Sequence, residues 1–110
     1  MGQWRGQPWS SADATDYIRL LGRDPNLDLI RTQHAHEQMR DRSLIMSDVL
    51  FVLKNGFVYA EAQASTQTSL FKYLIESRSP NSGSRTVRLV VIPDPRETCI
   101  KVVTVMWVDE

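Results

Sequence analysis

With a single cysteine, Cys99, in 110 residues, the chain cannot form an internal disulfide. Cys99 sits in an apolar, strand-like run and reads as a small buried hydrophobe in a reducing compartment. Charge of one sign is also missing, because thirteen basic and thirteen acidic side chains cancel. A protein whose main task is gripping nucleic acid carries a basic excess, so only a local basic patch is left open. No apolar run approaches the roughly 18 residues that span a bilayer. The opening stretch MGQWRGQPW has no apolar centre that could serve as a signal peptide. These absences predict a cytoplasmic protein without membrane contact. No internal repeat or low-complexity tract interrupts the chain. Its hydrophobic fraction of 42% is ordinary, and the length suits one domain with a real core.

The patterning predicts an α+β fold. Met1 to Trp9 reads as an arm whose Trp4 and Trp9 fold back onto the domain. Ser10 or Ser11 caps a helix in which Ala14, Tyr17, Ile18 and Leu21 keep helical spacing and Gly22 is a stop. Residues 1–25 are thus an arm and an accessory helix, and residues 26–110 are the main domain. Leu27 to Thr32 alternates as a first strand. A helix runs from Thr32 or Gln33 to about Arg42, and a second follows, capped by Ser47 and ended by Gly56. Strands are predicted over Phe57–Ala62, Ser69–Glu76, Arg85–Ile92 and Thr98–Val108. The last is apolar on both faces, which calls for a central position or a partner chain over one face. The sum is two helices on one face of a four- to five-stranded antiparallel sheet, with an extra N-terminal helix.

Several of these segments carry a resemblance. His34-Ala35, Met39 and Arg42, then Ser47-Asp48-Val49 and Val52-Leu53-x-x-Gly56, resemble a family of small uncharacterised bacterial and phage domains. Arg85 to Val91 and Val102 to Val105 resemble its last two strands. The likeness covers about Ile30 to Trp107. It departs from the family at Gln38, where Arg or Glu is common before the methionine. That family is similar in turn to RelE-type toxins and to the barnase-like ribonuclease fold. The RelE-like toxins are strongly basic, whereas this chain is neutral.

The resemblance implies a metal-independent endoribonuclease that cleaves RNA by attack of the 2′-hydroxyl, with RNA or the ribosome as partner. Such chemistry needs a base for the 2′-hydroxyl, an acid for the 5′-oxygen and positive charge for the phosphate. The candidate group is His34, Arg42, Lys72, Tyr73 and Arg88. Each has a plainer alternative. His34 can tie a free backbone group at the helix start. Arg42 can pair with Asp48 or Glu76. Arg88 can form a cross-strand pair with Glu76. Whether Lys72 and Arg88 share a face depends on hairpin register. No cofactor is implied. A metal site is rejected, since His34 and His36 diverge on a helix and Cys99 is distant. The competing reading is a non-catalytic interaction module. It would bind an antitoxin-like protein or a second copy of itself through the final strand and the tryptophans. Neutral charge favours this second reading.

Overall fold

Ser10 opens the first helix, its hydroxyl accepting the Asp13 N–H at 3.1 Å and satisfying one of the free amides of the first turn. The computed structural model describes residues 4–110, so residues 1–3 of the N-terminal arm lie outside the described residues. Helix α1 covers Ser11–Arg23. It is followed by β1 (Asp28–Arg31), α2 (Gln33–Asp41), α3 (Met46–Asn55), β2 (Phe57–Val58), β3 (Gln63–Ala64), β4 (Phe71–Ser77), β5 (Val87–Asp94) and β6 (Cys99–Trp107). A 3-10 turn, Pro95–Glu97, joins the last two strands. The architecture is α+β with an N-terminal helix, as the patterning predicts. None of the described helices is long and apolar enough to cross a membrane.

The strand order is β1-β6-β5-β4-β2, with β3 also on β4. Phe57 pairs with Glu76 and Gln63 with Lys72, so β2 and β3 are two fragments lying along one edge of β4. The expected Phe57–Ala62 strand is therefore broken after Val58. A second difference lies at the other edge, where β1 runs parallel to β6 and makes the sheet mixed. A hairpin joins only antiparallel neighbours, and β1 meets β6 after both helices and the whole meander. The final strand is central, flanked by β5 and β1. That position accounts for its apolar character on both faces.

Alternation decides which side of the sheet the helices cover. Tyr73 and Ile75, then Val87, Leu89 and Val91, then Ile100, Val102 and Val105 are fully buried. They form one core with Ala14, Ile18, Leu21, Ala35, Met39, Val49, Val52 and Leu53 from the three helices. The step of three from Val102 to Val105 marks a bulge. Val90 faces Thr104 while Val91 faces Val102, leaving Val103 unopposed. Beyond β1 the edge of β6 is closed by side chains. The Thr32 hydroxyl donates to the Val103 carbonyl at 3.2 Å, and the Gln38 side chain accepts the Val105 N–H at 2.8 Å.

The arm and α1 belong to this same core. Trp9 is 4% exposed and stacks on Tyr73 at 5.4 Å, while both Trp4 and Trp9 meet the edge of Tyr17. Gln7 accepts the Phe71 N–H and donates to the Pro93 carbonyl. Arg19 and Arg23 donate to the carbonyls of Lys54, Asn55 and Gly56, groups a helix end leaves without partners. Helix α3 begins at Met46, and Ser47 is exposed in its first turn, so Ser47 is not the cap. The Asp48 carboxylate closes the turn instead, accepting the Ile45 N–H at 2.9 Å.

Candidate functional site

The face turned away from the helices carries Lys72, Leu74 and Glu76 from β4, Arg88 and Val90 from β5, and Thr104 and Met106 from β6, all half-buried. Two rows of this face are set by register: Leu74–Val90–Thr104 and Glu76–Arg88–Met106. The Arg88 Nε donates to Glu76 Oε2 at 2.8 Å, and the two side chains are 28% and 17% exposed. This is the cross-strand pair expected as the plainer role of Arg88. Among the described residues only Nε is engaged, so the terminal guanidinium nitrogens keep donors for a further anion. Lys72 shares the face, four residues before Glu76, which is roughly 13 Å along a strand.

The other three candidates lie elsewhere. Tyr73 is on the helix side, fully buried. Its hydroxyl accepts the Trp9 N–H at 3.0 Å and meets Gln7 Oε1 at 3.2 Å. Burial raises its pKa above the ordinary 10.0, and the Trp9 hydrogen bond opposes that rise. A phenol held this way is a core residue out of reach of RNA. His34 is exposed in the first turn of α2. The free amide at that helix start is satisfied by the Thr32 hydroxyl, which accepts the Ala35 N–H at 3.1 Å, and not by the imidazole. Arg42 is the C-cap of the same helix, about 12 Å from His34 along the axis. Its partner is neither Asp48 nor Glu76. It grips the Glu110 carboxylate with two nitrogens, the Nε bond being 2.7 Å.

Asp48, one of the partners proposed for Arg42, is 2% exposed and serves the fold. Burial alone would raise its pKa. The Ile45 N–H, the Ser79 hydroxyl at 2.6 Å and the Asn81 amide outweigh that and hold it below the usual carboxylate value. It thereby ties the start of α3 to the loop between β4 and β5. Cys99 is half-buried at the start of β6. Burial, then Asp28 and Asp94, push its thiol upward, away from the reactive thiolate. Among the described residues no three His, Cys, Asp or Glu side chains are grouped as ligands for a metal ion.

A family model described as a domain of unknown function, DUF4258, matches residues 31–107. The chain belongs to that family. Searches of curated proteins and of solved structures returned no match. The DUF4258 span begins on the last residue of β1, leaving α1 and the arm outside it. It holds all five candidate residues and the Glu76–Arg88 pair. Glu76 entered the sequence reading only as a partner for an arginine. The signal for more was its place in the alternation of Lys72, Leu74 and Glu76, which puts a carboxylate on the open face. Asp109 and Glu110, the partners of Arg85 and Arg42, lie beyond both the last strand and the DUF4258 span.

Proposed function

We propose that this DUF4258 protein is a metal-independent endoribonuclease of the RelE-like kind, working on the helix-free face of its sheet. The observation that carries the reading is Glu76 and Arg88 side by side on adjacent strands of that face. In this reading the Glu76 carboxylate takes the proton from a ribose 2′-hydroxyl. The new bond forms between O2′ and phosphorus as the bond from phosphorus to O5′ breaks, and the leaving oxygen takes a proton from water. Arg88 holds the phosphate with its terminal nitrogens, where negative charge grows in the transition state. Lys72 is too far along β4 to share that phosphate and serves a neighbouring one. The warrant from RelE-type toxins is analogy of fold and motif.

A second reading rests on a different observation. Leu74, Val90 and Met106 are half-buried apolar groups in the middle of the same face, which suits a protein partner covering it without chemistry. The earlier supports of an interaction role are used up within the chain, since β6 is central and Trp9 is buried.

One assay separates the two. Purified protein is incubated with RNA in the presence of a chelator, with and without ribosomes, and product ends are mapped. The expected products carry 2′,3′-cyclic phosphate. Glu76→Gln and Arg88→Ala, both folded by circular dichroism, each lose about 100-fold or more in rate. Intact RNA with the wild-type protein under both conditions sinks the catalytic reading and leaves the covering partner.

A further inference from the structure

Two arginines outside the proposed catalytic pair each hold a carboxylate in the same way. Arg42 grips Glu110 through Nε and a terminal nitrogen, and Arg85 grips Asp109 through Nε at 3.3 Å and a terminal nitrogen at 2.8 Å. Arg85 is further held by Trp107, with its guanidinium carbon 4.1 Å from the ring centroid. Trp107 joins the two pairs, since its ring lies against Arg85 and its backbone N–H donates to Glu110 at 2.7 Å, and the two anions are neighbours in sequence. Two elements far apart in sequence supply the cations: the end of α2 and the residues just before β5. Both anions come from the short segment following β6. Its backbone is held by the Val108 N–H to the Thr86 carbonyl and the Glu110 N–H to the Trp107 carbonyl.

Two-nitrogen grips of this kind fit phosphate as well as carboxylate. Charge complementarity therefore reads the acidic pair as a stand-in for two phosphates. The Arg85–Asp109 pair is 45% and 60% exposed, so solvent, salt and a competing polyanion all have access to it. The cluster also lies at the Glu76–Arg88 end of the sheet, since the next register row is Ser77–Val87–Trp107.

We propose that Arg42 and Arg85 form a two-phosphate site for single-stranded RNA, held closed in cis by Asp109 and Glu110. The choice of RNA rests on the function proposed above, and the site itself rests on separate residues. The mask keeps the cluster neutral until a strand displaces both carboxylates.

The test uses binding, so that it is independent of cleavage. The full chain is titrated against a fluorescent, fully 2′-O-methylated RNA of roughly 12 nucleotides, read by anisotropy. Such a strand has no 2′-hydroxyl to react. Asp109→Asn with Glu110→Gln keeps shape and removes the masking charge. It is expected to bind at least about tenfold tighter at low salt, with a salt slope steeper by roughly 1.4, as two more phosphate contacts require. Adding Arg42→Ala and Arg85→Ala to that variant is expected to return affinity to the wild-type level. Asp16→Asn with Glu61→Gln makes the same change in net charge at exposed positions elsewhere. It is expected to move affinity less than about twofold. The proposal is overturned if the unmasked protein binds no tighter than wild type, or if the control pair tightens binding as much. Either result leaves the cleavage assay untouched, and a failed cleavage assay leaves this one readable.

Discussion

Glu110 shows how one side chain reports on its surroundings. Its pKa falls from the ordinary 4.5 to about 2, first through the hydrogen bonds from Arg42 and then through the Trp107 N–H. A carboxylate lowered on folding binds protons less readily folded than unfolded. Its stabilising effect is whole above about pH 4.5 and is lost as the pH falls toward 2. Asp48 is also lowered, so it adds to acid lability in the same direction. The two are separable by position. Trp107 lies beside Arg85 and donates its backbone N–H to Glu110 at 2.7 Å, so its fluorescence should change across that window. Glu110→Gln should flatten the fluorescence step while leaving the acid loss of helical circular dichroism in place. At this scale the sequence was only partly legible. Strand periods offered Arg88 with Glu76 as one cross-strand pair and left open the register that decides it. They gave no hint that Arg42 would reach residue 110, because long-range pairing of exposed charges leaves no local pattern.

Among the elements, α3 is fastened at both ends by contacts that its own residues do not announce. Gly56 reads in sequence as a helix stop, a role usually explained by left-handed backbone. Its φ is −79°, so backbone freedom is not the reason for glycine there. A Cβ at this position would lie 2.6 Å from the Val52 carbonyl oxygen, 2.8 Å from an Ile75 side-chain carbon and 2.9 Å from the Glu76 carbonyl oxygen. The glycine lets the chain pass against β4 as it leaves the helix. Two of those three contacts are backbone and cannot turn aside. Gly56→Ala is expected to cost about 3 kcal/mol, the upper range for overpacking. Urea denaturation followed by circular dichroism would read it, and a loss below about 0.5 kcal/mol would refute the close-approach account. The helices and the meander were legible because their apolar spacing is regular. The parallel pairing of β1 was not, since four residues of alternation do not specify a partner or a direction. The bulge at Val103 was not legible either, because a run apolar on both faces hides a change of step.

For the molecule as a whole, the boundary near residue 25 is a boundary of pattern and not of packing. Trp9, Ile18 and Leu21 are buried against α3 and the sheet, each contributing about 1.5–3 kcal/mol. Their sum approaches the whole stability of a small domain, about 5–15 kcal/mol. A chain trimmed to residues 26–110 is therefore expected to lose cooperative unfolding and to bind a hydrophobic dye. A sharp thermal transition in that fragment would show the first helix to be dispensable. Much of the fold could be anticipated because burial follows periodicity, whereas the candidate site could not, because it depends on which periods face each other. The place of β6 in the sheet has a further consequence, one of time. The strand that joins the two edges follows the other strands in the chain, and its parallel neighbour β1 precedes it by about seventy residues. Until Cys99–Trp107 emerges, β1 has no partner and one side of β5 stays unpaired. The sheet can close only then, through contacts distant along the chain, the kind that fold slowly. A nascent chain carries β1 and one side of β5 without partners until β6 has been made.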